Sequence, residues 1–234
     1  MARLLRNSAA APLARDAYVG LASLLVVLAI LLFFPAGSLD YWQAWVFLFV
    51  FGTSVTLITV YFLRNDPKLI AARLRAGPAA ETRTRQKVIQ AFASLFFVVL
   101  VLVPALDHRF RWSEVPPFLA FAADAVVVIG LLVVFLVFRE NSYTSAIIEV
   151  QKEQRVITSG PYGVVRHPMY AGALLMLLAM PVALGSFVGV MFVLPMLVVI
   201  IWRLIDEESY LSKHLPGYDA YRRKTRYRLV PLMW

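Results

Sequence analysis

Two short polar stretches hold most of the side chains in this sequence that could do chemistry. Residues 149–170 read EVQKEQRVITSGPYGVVRHPMY, and residues 203–231 open with RLIDEESYL and continue KHLPGYDAYRRKTRYRLVP. Together they offer an imidazole at His167, guanidinium groups at Arg166 and Arg203, phenols at Tyr162 and Tyr170, and adjacent carboxylates at Glu207 and Glu208. Such a set suits the binding and orienting of a small charged molecule, and Glu208 or His167 could take a proton if a reaction needs a base. The sequence has no cysteine, which excludes disulfides, thiolate metal sites and a cysteine nucleophile.

The spacing within each stretch has a physical logic. Ser159-Gly160-Pro161 is a turn signal. Pro168 disfavours helix in the residue before it and is well suited to the first position of a helix, so His167 falls near an N-cap. A helix end there presents free N–H groups and a partial positive charge to a carboxylate or phosphate. Arg166 adds a cation, Tyr170 projects one turn in, and Gly172 permits close approach. Arg203 and Glu207, four apart, share a helix face. Alone they read as a surface ion pair at a helix exit; opposite the His167 segment they become site candidates.

What must position these residues is a membrane scaffold. Of the 234 residues 61% are apolar and 16% charged, with a mean hydropathy of +0.74, well outside the range of a soluble domain. Windows of about 20 apolar residues, the length that crosses a bilayer, fall at 17–34, 41–63, 88–106 and about 116–138. The run 169–204 is too long for one crossing and is broken by Pro181, Gly185 and Ser186, so it reads as a hairpin of helices 169–184 and 187–204. The expected fold is all-α and polytopic: four spans plus a C-terminal helical hairpin, five to six crossings in all. Residues 1–138 would form the N-terminal transmembrane part and 139–234 the catalytic part. The hairpin joins the two polar stretches at one mouth.

Of 23 basic residues only Arg109 and Arg111 fall on the far side of this topology. The others, Arg3, Arg6, Arg15, Lys152 and Arg155 among them, share one face, which places both termini in the cytoplasm. The net charge of +9 reflects that asymmetry, with no nucleic-acid-binding motif beside it. The first apolar run is longer than a signal-peptide core and is kept as a span. Tyr218, Tyr221 and Tyr227, with the basic residues between them, read as an amphipathic segment lying on anionic lipid. Asp124 is an acid within a span, expected to face a neighbouring helix and bond a hydroxyl or a water.

Ser159-Gly160-Pro161-Tyr162, Arg166-His167-Pro168-Met169-Tyr170-Ala171-Gly172, Glu207-Glu208-Ser209-Tyr210-Leu211 and Pro216-Gly217-Tyr218-Asp219-Ala220-Tyr221-Arg222 resemble the isoprenylcysteine carboxyl methyltransferase family. Its wider group includes the membrane phospholipid N-methyltransferases. The resemblance covers the part after the fourth span; the part before it matches only as a set of spans. It implies methyl transfer from S-adenosylmethionine to a lipid-like or prenylated acceptor, with membrane lipids as surroundings and no obligate protein partner. It further implies that Gln151, Gln154, Arg155, Val156, Ile157, Tyr162, His167, Pro168, Met169 and Tyr170 line the cofactor pocket. Glu207 would bind the cofactor with Glu208 as its neighbour, and Arg203 would sit nearest the acceptor and the transferring methyl. The residues themselves fit: Arg166 and the helix end could take the cofactor's carboxylate and Glu207 its ammonium. No metal is implied. A carboxylate acceptor needs no base, whereas an amine would call on Glu208 or His167.

Three alternatives stand beside this reading. Phospholipid N-methyltransferases share the pattern. Membrane reductases of the steroid or sterol type, which use NADPH, carry a similar Arg-(His or Asn)-Pro-x-Tyr-x-Gly segment, commonly with an acid after the glycine, where this sequence has Ala173. A transporter or scaffold would show polar residues at mid-membrane and broken helices in paired halves. A Rossmann-type enzyme lacks its glycine-rich fingerprint here.

Overall fold

Long apolar runs bounded by proline and polar residues fold into helices, because in lipid only a helix satisfies every backbone group within one segment. The computed structural model describes residues 2–151 and 153–234, with side chains from residue 11 onward. Lys152 and the side chains of Arg3 and Arg6, counted above with the basic face, lie outside the described residues. The helices are α1 (Ala2–Ala36), α2 (Trp42–Asn65), α3 (Pro67–Leu74), α4 (Thr84–Phe110), α5 (Pro117–Glu140), α6 (Pro168–Ala183), α7 (Val193–His214) and α8 (Tyr218–Lys224), with 3-10 turns at Gly160–Gly163 and Val188–Phe192. There is no strand among the described residues. The described residues are all-helical, and five of their helices are long and apolar enough to cross a membrane. Their outer faces are aliphatic and aromatic: Val26, Ile30, Phe34, Phe49 and Leu57 are all exposed.

The hairpin forms as the sequence suggests. Pro168 occupies the first turn of α6, and His167 before it takes a non-helical N-cap conformation. At the other end Gly185 adopts a φ of +79°, the left-handed turn that ends the helix. α6 has 16 residues, or about 24 Å at 1.5 Å per residue, shorter than a hydrocarbon core of about 30 Å.

Two devices hold the hairpin in place. Away from the polar stretches, Asp107 on α4, fully buried, accepts bonds from Ser113 N at 2.7 Å, Ser113 Oγ at 2.6 Å and Ser186 Oγ. Tyr41 Oη donates to Leu184 O at 2.5 Å. Along its length α6 lies against α5 at a glycine crossing. A Cβ on Gly130 would stand 2.6 Å from Gly172 O, and one on Gly172 would stand 2.8 Å from Gly130 O. The close approach expected of Gly172 is therefore an approach to α5, and it fixes where the first turn of α6 sits.

Asp124 is buried on α5, and neither carboxylate oxygen bonds a protein group among the described residues.

Candidate functional site

The start of α6 is held by the chain's C-terminal segment. Arg166 N donates to Tyr227 O and His167 N to Arg228 O, each at 2.9 Å. These two bonds lay the strap beyond α8 alongside the Arg-His-Pro segment. Glu208 on α7 fastens the same junction. Its Oε1 accepts from Arg166 Nε at 2.7 Å and lies 3.2 Å from His167 Nε2, and its Oε2 accepts from Arg228 Nε at 3.1 Å. Arg166 also donates Nη1 to the carbonyls of Thr225 and Arg226. Glu208 was a candidate base. A buried carboxylate clamped between two guanidinium groups is held ionised and is a poor proton acceptor, and it stands outside the pocket described below. Its part is to tie α7, the α6 start and the strap together.

Glu207, its neighbour, is bound differently. Oε2 accepts from Tyr170 Oη at 2.6 Å; among the described residues Oε1 accepts from none, and no cation lies within ion-pair distance. Tyr170 Oη in turn accepts from Arg203 Nε at 3.1 Å. The surface ion pair considered for Arg203 and Glu207 does not form: the phenol stands between them. Arg203 spends its other donors behind the site. Nη1 reaches Glu81 Oε1 and Gln86 Oε1, both at 3.1 Å, and Nη2 reaches Ala146 O at 2.9 Å. A guanidinium has five N–H donors, and four of Arg203's are engaged. Expected nearest the acceptor, Arg203 lies one residue behind the pocket wall.

The pocket lies between the 141–157 loop, the α6 start, α7 and α8, and encloses about 800 Å³ including its open mouth. Gln154, Arg155, Val156, Ile157, Tyr162, Arg166, His167, Pro168, Met169, Tyr170 and Glu207 all line it. Gln151 does not. Its side chain turns back to Tyr143 O at 3.2 Å, and its N–H is capped by Gln154 Oε1 at 2.9 Å.

Sequence reasoning missed part of this wall. Tyr218 and Tyr221, assigned to a lipid surface, are buried in it together with Leu215, Ile147 and Ile148, with Leu211 half-buried beside them. Tyr221 Oη donates to Tyr162 O at 2.8 Å. Tyr162 Oη accepts from Asn141 Nδ2 at 2.9 Å. Tyr218 Oη is buried with no partner among the described residues. Burial pushes the Tyr221 phenol up to about 12 and raises Tyr162 and Tyr218 as well, so all three are neutral near pH 7. Among the described residues the pocket thus offers one carboxylate without a bonded cation, a hydroxyl without a partner and apolar faces from Ile148, Val156 and Ile157.

This part of the chain also matches a known family. Residues 118–216 match the phospholipid methyltransferase family. The match runs from α5 through the pocket loop and the hairpin to the end of α7, and it supports a membrane methyltransferase related to the family resembled in the sequence. The nickel-cobalt-cadmium resistance protein NccN of Alcaligenes xylosoxydans xylosoxydans is 23% identical over 133 residues, 55% of this chain and 58% of that protein. The cobalt-zinc-cadmium resistance protein CzcN of Cupriavidus metallidurans is 26% identical over 130 residues, 55% of this chain and 57% of that protein. The mouse Delta(14)-sterol reductase TM7SF2 is 31% identical over 84 residues, 35% of this chain and 20% of that protein. The chain spans little more than half the length of the two bacterial relatives.

Proposed function

We propose that this protein transfers a methyl group from S-adenosylmethionine to a lipid-like acceptor at the membrane surface, as the isoprenylcysteine carboxyl methyltransferases do. The observation that carries the reading is the contrast between two adjacent acids. Glu208 has two bonded guanidinium groups; Glu207, in the pocket wall, has no bonded cation among the described residues. A part-buried carboxylate in that position calls for a cation from a ligand.

The donor set fits this cofactor. Glu207 Oε1 is available for an ammonium. The first-turn N–H groups of Met169 and Tyr170 are suited to a carboxylate. Arg166, proposed for that carboxylate, is largely committed to Glu208 and the strap. Tyr218 Oη offers a hydrogen bond to a ribose or base, and Val156, Ile157 and Leu211 offer apolar faces. S-adenosylmethionine supplies an activated methyl on a cationic sulfur, which neutral tyrosine faces favour. The chain's own contribution is alignment and exclusion of water. With Glu208 clamped outside the pocket, Glu149 paired with Arg75, His167 Nε2 turned to Glu208 and Glu207 taken by the cofactor's ammonium, none of these groups is left as a base, which favours an acceptor that is already an anion.

A lipid-like acceptor is supported by an apolar groove on the far side of Pro168, walled by Leu136, Val164, Leu174, Leu178, Leu197 and Val230. Two relatives are named for metal resistance, but among the described residues no group of three His, Cys, Asp or Glu is placed to hold a metal ion. The likeness to a sterol reductase favours one second reading, an NADPH-dependent reductase. Calorimetric titration of the detergent-purified protein separates the two. Micromolar binding of S-adenosylmethionine and its demethylated product, with labelled methyl passing to a prenylcysteine, is expected; binding of NADPH alone would establish the reductase. Transfer to phosphatidylethanolamine instead would make it an N-methyltransferase.

A further inference from the structure

Behind the pocket lies a buried polar cluster made by the chain before the matched stretch. Glu81 is 2% exposed and Gln86 is fully buried. Glu81 Oε1 accepts from Arg203 Nη1 at 3.1 Å, and its Oε2 accepts from Ile148 N, in the pocket wall, at 3.4 Å. Gln86 bridges Arg203 Nη1 to Asp206, which also meets Arg83 at 2.9 Å and Arg85 at 3.3 Å. The segment between α3 and α4 is thereby anchored to α7 by two buried carboxylates.

The cluster exceeds what burying Arg203 requires. Gln86, the Ala146 carbonyl and Tyr170 already engage three of its N–H groups without any charge. Glu81 adds a negative charge in direct contact. A guanidinium left without one attracts the neighbouring carboxylates more strongly, and Glu207 stands one phenol away. Arg73, half-buried beside the pocket, bonds Ser145 O and Met169 Sδ and lies over the Phe138 ring, and among the described residues no carboxylate bonds it.

We propose that Glu81 is a positioning residue of the site: by balancing Arg203 it keeps Glu207 free to receive the cationic end of the cofactor. The inference rests on the cofactor reading above. The effect travels from Glu81 through Arg203 and Tyr170 to Glu207, a line of three consecutive hydrogen bonds.

The test is a double-mutant cycle read by calorimetry with S-adenosylmethionine, with the melting temperature of each ligand-free variant as the folding control. Glu81→Gln should weaken binding about tenfold in the wild-type background and leave it unchanged in a Glu207→Gln background, because the route ends at Glu207. Glu81→Asp, which keeps the charge, should recover most of the loss and serves in its place if the glutamine variant does not fold. An equal loss in both backgrounds, tracking the melting temperature, would make Glu81 a structural residue and overturn the proposal. Unchanged binding in both would overturn it as well. If the wild-type protein binds no S-adenosylmethionine at all, the cofactor reading fails and this inference falls with it.

Discussion

Arg203 and Glu207 share one face of α7, four residues apart, yet they do not touch: the Tyr170 hydroxyl accepts from one at 3.1 Å and donates to the other at 2.6 Å. A phenol from α6 thus prevents an ion pair that helix geometry would otherwise form, and leaves a carboxylate facing the pocket. Tyr170→Phe removes both bonds and lets the two side chains close on each other. A hydrogen bond to a charged group is worth about 1.5–3 kcal/mol, so cofactor affinity should fall at least tenfold while the melting temperature barely moves. Unchanged affinity by calorimetry would show that Glu207 does not bind the cofactor.

The adjacent acids should separate cleanly under mutation. Glu207→Gln is expected to weaken cofactor binding with little loss of stability. Glu208→Gln should do the reverse, since it leaves Arg166 buried against a neutral partner. Breaking a buried ion pair costs about 3–5 kcal/mol, a fall of about 10 °C in a protein of this size. Thermal unfolding and calorimetry on the two variants check both arms, and an equal loss of stability in both would count against the division of roles.

Much of this arrangement was legible in the sequence. Pro168 set the start of α6, Pro181, Gly185 and Ser186 set the hairpin turn, and Gly172 marked a place of close approach, though not what approaches. Each rests on a local rule of backbone geometry, and local rules need no knowledge of the rest of the chain. The partners of Arg203 were not legible. Glu81 lies in a run rich in arginine that reads as a solvated loop, and nothing local marks it for burial against a residue on α7. Tyr218 and Tyr221 failed for a related reason. Tyrosines interleaved with arginine and lysine look the same whether they rest on a lipid surface or wall a pocket, and only the fold of the strap decides.

Those tyrosines give the protein an alkaline limit. An unfolded tyrosine titrates near about 10, while burial holds Tyr221 up to about 12 in the folded protein. Above pH 10 the unfolded chain loses a proton that the folded one keeps, so unfolding is favoured. The contribution of Tyr221 is therefore intact below pH 10 and is lost as pH rises toward 12. Tyr162 and Tyr218 are shifted in the same direction. Melting temperature in detergent should hold steady from pH 8 to 9.5 and then drop, and Tyr221→Phe should make the drop shallower. A drop as steep as wild type would assign it to other groups.

The glycine crossing between α5 and α6 makes the sharpest steric prediction. A Cβ at Gly172 would sit 2.8 Å from Gly130 O and 3.0 Å from the Val133 side chain. The first obstacle is backbone and cannot rotate away, so the helices must part. Overpacking of this kind costs about 1–3 kcal/mol, and because Pro168, Met169 and Tyr170 ride on the same helix, the pocket wall shifts with it. Gly172→Ala should therefore lower both melting temperature and cofactor affinity. Gly20→Ala is the control: its nearest neighbour would be Leu74 Cδ2 at 3.7 Å, an ordinary contact, and alanine is the better helix former by about 1 kcal/mol. That variant should melt no lower than wild type and bind as well. If Gly172→Ala behaves the same way, the crossing is loose and does not position the site.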